Sequence, residues 1–164
     1  LALVWYFLQG PGKINAPDKI YVVNRSQGRL DHLVRLAEGW GSSSQIIPLV
    51  AHDSSVADQV INSMNPGSLV VNATGLGKDA QGSPITDGAQ FPNGGFVWDF
   101  NYRGDLLFLE QATSQKKNRS LTLVDGWDYF VIGWTQVIAD IFDLEIPTKG
   151  HLYDLLSEQA KERR

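Results

Sequence analysis

The sequence predicts an α/β fold, a mainly parallel sheet with helices on both faces, and three observations carry that expectation. Five short runs rich in β-branched and aromatic residues recur along the chain: "KIYVVN" (19 to 24), "SQIIPLV" (44 to 50), "GSLVVNA" (67 to 73), "GGFVWDF" (94 to 100) and "SLTLVDG" (120 to 126). Segments with apolar residues at helical spacing separate them, at about 28 to 39, 54 to 64, 105 to 117 and 127 to 143. Short apolar strands alternating with helices call for parallel pairing through crossovers. Ligands in such sheets sit at the C-terminal ends of the strands.

Taken in order, "LALVWYFLQG" is too short to span a membrane and has neither a basic flank nor a cleavage site, so a buried helix is expected there. It opens without methionine in the middle of an apolar run, as though the sequence started inside a larger protein. The second segment, "IYVVNRSQGR", ends its strand in Asn24 and Arg25. A carboxylate at that tip would accept hydrogen bonds from the ribose of NAD. Arg25 instead offers a planar five-donor fork suited to a 2′-phosphate, and Arg29 follows one helical turn later. The alternative is that both arginines are solvated and that Ser26 is a plain helix N-cap.

Further on, "VVNATGLG" places Asn72, Ala73 and Thr74 at a strand end where small side chains let a ligand approach closely. Its plainer reading is a turn in which Asn72 satisfies local backbone. Residues 75 to 95, rich in Gly, Pro, Asp and Asn, read as a long loop of the kind that is commonly functional or mobile. In "VWDFNYRGD", Asp99 closes a strand and Tyr102 follows with a hydroxyl for a polyol. "DGWDYFVIGWTQVIADIF" begins with Gly126, whose missing side chain leaves room for a ring, and runs into a very apolar helix. Core packing is the expectation for its Trp127, Phe130, Trp134 and Phe142. The tail after Pro147 has helical spacing of Leu152, Leu155 and Leu156 and should pack back on the domain.

Composition narrows the function classes. With 164 residues, 43% of them hydrophobic, the chain fills one ordinary domain. Its net charge of −4 argues against nucleic acid or an anionic membrane as partner. The absence of cysteine excludes disulfide scaffolds, thiolate metal sites and thiol nucleophiles, and a reducing cytoplasm is compatible with it. Three scattered histidines have no metal-ligand spacing, so no metal is expected.

Taken together, the four motif-bearing stretches resemble the cofactor-binding, Rossmann-like half of shikimate and quinate dehydrogenases, over roughly Leu1 to Phe142. The resemblance implies NADP as cofactor, with Asn24, Arg25, Ser26 and Arg29 at the adenosine 2′-phosphate. It places Asn72, Ala73 and Thr74 on the cofactor floor, Phe100, Gly126 and Tyr129 by the nicotinamide, and Tyr102 against a cyclic hydroxy acid. The implied activity is reversible hydride transfer in aromatic amino-acid biosynthesis, and a homodimer is compatible with it. The first strand and glycine-rich loop would then lie before Leu1, and so would the substrate domain with the family's catalytic lysine and aspartate. No catalytic residue is therefore expected within residues 1 to 164. Three departures stand out: Gly133 where the family has a glutamine, Tyr129 for a methionine, and "YRG" at 102 to 104 for tyrosine-asparagine-proline. The first two leave open a second reading, a nucleotide-binding regulatory module that has lost catalysis.

Overall fold

A computed structural model describes residues 1–11 and 15–162. The chain is α/β and Rossmann-like in its parallel βαβ organisation, and it divides into two compact units, Leu1–Val60 and Ile61–Arg164.

In the first unit, α1 (Ala2–Leu8) precedes β1 (Lys19–Asn24), α2 (Gln27–Glu38), β2 (Gln45–Val50) and most of α3 (Ser55–Asn62). β1 and β2 pair in parallel from Lys19 opposite Gln45 to Asn24 opposite Val50, and α2 packs on both strands. The pairing follows from the β-branched run, and α2 closes the crossover by burying Leu30 and Leu33. The expected buried helix at the start is only partly so. Leu8 is buried, but Trp5 and Tyr6 are exposed, because seven residues bring only one turn's apolar edge onto the unit.

The second unit carries β3 (Leu69–Asn72), β4 (Phe96–Asp99), α4 (Leu107–Arg119), β5 (Thr122–Val124), α5 (Trp127–Phe142) and α6 (His151–Lys161). Its three strands are parallel in the order β3-β4-β5, with α4 packed on β4 and β5. The core gathers Val70, Val97, Phe91 and Phe108, the last two in an edge-to-face contact at 5.6 Å. Helix α6 returns onto α5 as expected, with Trp127 Nε1 donating to Ser157 Oγ at 2.7 Å.

The loop over 75 to 95 has no helix or strand, as expected, but it is held down along one stripe of α4. Gln111 donates to Asp87 Oδ1 (2.8 Å) and Gln115 to the Ala89 carbonyl (2.8 Å), while Arg119 donates to the Phe91 carbonyl (2.8 Å). These three residues, four apart, form a polar stripe that holds the loop through one carboxylate and two backbone carbonyls. Helix α4 starts at Leu107 behind a left-handed Leu106 (φ 48°).

Helix α5 departs from the expectation of core packing. Trp127, Val131 and Ala139 are buried, but Trp134 is 60% and Phe142 67% exposed. A helix apolar on every side can bury only the stripe that meets its own unit.

Candidate functional site

The two strand ends singled out in the sequence use the same local device. At the end of β1 the Asn24 side-chain oxygen accepts from the Ser26 backbone N–H at 2.9 Å. At the end of β3 the Asn72 oxygen accepts from the Thr74 N–H (3.0 Å) and from its hydroxyl (2.7 Å). Both are Asx turns, in which a short amide side chain mimics a backbone turn.

At β1 the turn sends Arg25 and Arg29 outward. Both are exposed, and neither makes a side-chain hydrogen bond or ion pair among the described residues. Ser26 occupies the N-cap position of α2 in extended conformation, but its hydroxyl makes no capping bond, so α2 begins with its amide donors unoccupied by this side chain. The end of β1 is thus two unneutralised guanidiniums beside a helix N-terminus.

At β3 the turn faces inward. Asn72 is 1% exposed and donates from Nδ2 to Asp99 Oδ1 at 3.1 Å, tying the C-terminal ends of β3 and β4 together. Asp99 Oδ1 also accepts from the Asn101 N–H at 2.9 Å, while Oδ2 is buried without a partner among the described residues. Burial pushes the Asp99 carboxyl above the ordinary carboxylate value and the charge of Asp125 adds to this, outweighing the bonds from Asn101 and Asn72.

Beside these strand ends lies an open cleft of about 590 Å³, within the size range of small-molecule sites. Ala73, Thr74 and Gly75 line it from the end of β3, Phe100, Asn101 and Tyr102 from the end of β4, and Tyr129, Phe130, Gly133, Trp134 and Val137 from α5. Lys78 and Asp79 close it from the loop after β3. Two stacked aromatic pairs build its walls: Phe100 on Tyr129 at 4.7 Å and Tyr102 on Phe130 at 3.9 Å between centroids. Of the residues singled out in the second unit, Ala73, Thr74, Phe100, Tyr102 and Tyr129 therefore share one cleft.

Gly126 does not line it. A side chain there would meet the Phe100 carbonyl oxygen at 2.1 Å, so the space expected for a ligand ring is filled by the chain's own backbone. That close approach, with the Gly126 N–H donating to the Asn101 carbonyl at 3.0 Å, seats the start of α5 against the end of β4.

Lys78 and Asp79 escape a reading of the sequence because nothing local distinguishes "GKD" in a glycine-rich loop from a solvated turn. Their position depends on contacts between segments distant in sequence. Asn101 Nδ2 donates to the Leu76 carbonyl (2.8 Å) and the Leu106 N–H to the Gly77 carbonyl (3.3 Å). Lys78 Nζ sits 2.9 Å from Asp79 Oδ2, and Arg103 Nη2 lies 3.9 Å from Asp79 Oδ1.

Fold and site together define a Rossmann-like α/β chain with a ligand-sized aromatic cleft at the C-terminal ends of parallel strands. No family model, no curated protein and no solved structure matches it. No cluster of metal-ligating side chains occurs among the described residues, and none of their helices is long and apolar enough to cross a membrane.

Proposed function

We propose that this chain is the NADP-binding part of an oxidoreductase of the shikimate or quinate dehydrogenase type, which transfers hydride between NADP(H) and a cyclic hydroxy acid. The observation that carries the reading is the convergence of Ala73, Thr74, Phe100, Tyr102 and Tyr129 on one cleft. These residues come from three of the sequence stretches that resemble that family.

The residues fit such a cofactor by their chemistry. Arg25 and Arg29, unpaired among the described residues, are cations suited to a 2′-phosphate, with Asn24 and Ser26 shaping the turn that presents them. The small residues Ala73 and Thr74 leave an approach to the cleft, whose aromatic walls suit a flat ring. When bound, NADP supplies the hydride chemistry. The chain's own residues hold the phosphate, exclude water from the ring and, through Tyr102, orient the hydroxy acid.

One observation favours a second reading, a nucleotide-binding regulatory module. Tyr129 stacks on Phe100 with planes 16° apart, covering a ring that the resemblance puts beside the nicotinamide, and Gly133 offers no side chain to a substrate.

The test is calorimetric titration of the chain with NADPH and with NADH, repeated in Arg25→Ala. Tighter NADPH binding is expected, with the preference lost in the variant by about 1.5 to 3 kcal/mol, the range of a hydrogen bond to a charged group. Equal affinities in the unaltered chain would overturn the NADP assignment. Titration with shikimate or quinate at saturating NADP separates the two readings, because only the oxidoreductase predicts that a ring acid binds.

A further inference from the structure

A charged cluster that the resemblance does not account for borders the cleft, with Lys78 and Asp79 in its lining and Arg103 beside Asp79. Lys78 and Arg103 lie over the ring of Tyr102, with Lys78 Nζ and Arg103 Cζ each 5.7 Å from its centroid. Two cations share one carboxylate, so the cluster carries a net positive charge. The sharing is unequal. Lys78 is bonded to Asp79 at 2.9 Å, whereas Arg103 at 3.9 Å is at the limit of an ion pair and more than half exposed, leaving its donor fork open.

The backbone beneath the cluster is fixed. Gly104 has φ 86°, and a side chain there would lie 2.2 Å from the Gly77 carbonyl oxygen, so only glycine lets the two loops touch. The Leu106 and Asn101 hydrogen bonds to Gly77 and Leu76 clamp the same pair of loops on either side. Lys78 and Arg103, far apart in sequence, are thereby held over one aromatic ring. A preorganised charge site of this kind loses little freedom when it binds.

We propose that Lys78 and Arg103 form a carboxylate-binding subsite for a flat ring acid whose ring lies against the aromatic walls of the cleft. The walls select the ring by offset or edge contact with Tyr102 and Tyr129. The cluster selects the acid from its neutral analogues, with Asp79 holding Lys78 in place until the ligand's carboxylate arrives and lowering affinity by its own negative charge. The subsite deepens the reading of this cleft as the ring-acid site and rests on it, but it does not require NADP.

The experiment uses the chain without cofactor and follows the aromatic side-chain resonances by NMR during titration with benzoate, benzamide and inorganic phosphate. Benzoate is expected to shift the resonances of Tyr102 and Tyr129 and to bind about tenfold more tightly than the isosteric, neutral benzamide, as expected for one charge-assisted contact. Lys78→Gln and Arg103→Gln should each remove most of that preference, while Lys117→Gln, on the exposed end of α4, should leave it intact. Asp79→Asn gives the sharpest outcome: if the cluster is an anion subsite, benzoate binds more tightly, whereas a purely structural ion pair predicts no gain.

Equal binding of benzoate and benzamide, no binding of either, or a preference that survives both cation replacements would each overturn the proposal. Phosphate binding equal to benzoate would overturn the ring requirement. Lys78-dependent benzoate binding in a chain that shows no preference for NADPH over NADH would leave the subsite standing and remove the cofactor assignment instead.

Discussion

The ends of β1 and β3 begin from the same sequence pattern, Val-Val-Asn followed by Arg-Ser in one and Ala-Thr in the other, and from the same Asx turn. They differ in what the asparagine's second polar group does. Among the described residues the Asn24 side chain bonds only within its own turn and leads to exposed arginines, whereas Asn72 is buried and donates to a buried carboxylate on the next strand. One turn presents charge to solvent; the other fastens two strands and sets the floor of a cleft. A local motif thus fixes the path of the backbone, and burial decides whether it serves recognition or cohesion.

The largest effect should come from the backbone contact that continues the β3 to β4 junction into α5. Gly126→Ala drives a methyl group onto the Phe100 carbonyl and should destabilise the chain by about 3 kcal/mol or more, read as a loss in urea midpoint. Gly28 lies in the first turn of α2, after the β1 turn, and a methyl group added there would meet nothing within 4 Å. Gly28→Ala should instead stabilise by about 0.5 kcal/mol. Equal responses would break the contrast between the two junctions.

Next in size is the pair of asparagines. Asn72→Ala removes a donor from the buried Asp99 and should cost about 2 to 3 kcal/mol, while Asn24→Ala, losing one partly exposed turn bond, should cost about 0.5 to 1 kcal/mol. Arg25→Ala should change stability by less than about 0.5 kcal/mol, because the side chain is exposed and unpaired among the described residues. On the proposed reading its effect belongs to NADPH affinity alone, and a large drop in thermal midpoint would show that the β1 turn is cohesive after all.

The strands and helices were legible because periodicity and composition agree. Strand β1 fills its expected run, and the other four fall inside theirs but stop short at one or both ends. The shortening is physical: β5 pairs with only one neighbour, over Thr122 to Val124, so its flanking residues turn away to meet α4 and α5. The cleft was legible where its residues sit at strand ends, as Thr74 and Phe100 do, since parallel pairing brings those ends together. It was illegible where loops decide. Lys78 reaches Tyr102 only because Gly77 and Gly104 touch, and Gln111, Gln115 and Arg119 look like a solvent face until the loop they hold is in place. Gly126 is a close-approach position as expected, but the approaching group is Phe100 backbone and not a ligand.

The smallest predicted effect is also the most specific to the β3 junction. The Asp99 carboxyl is held above its ordinary value of 3.8 by burial, so the folded chain binds that proton more tightly than the unfolded one. Its contribution to stability is therefore present below the ordinary carboxylate value and is lost as pH rises through the raised one. At neutral pH the ionised group, with Oδ2 unpaired among the described residues, is a cost. Asp99→Asn keeps an oxygen to accept from Asn72 and Asn101 and removes the charge. Its stability, measured by urea unfolding from pH 4 upward, should gain on that of the unaltered chain as pH rises. Asn24 has no buried acid as partner among the described residues, so no such slope is expected from the β1 turn. A wild-type advantage that grows with pH would show that the carboxylate is stabilised in place and that the junction is electrostatically matched, not merely fastened.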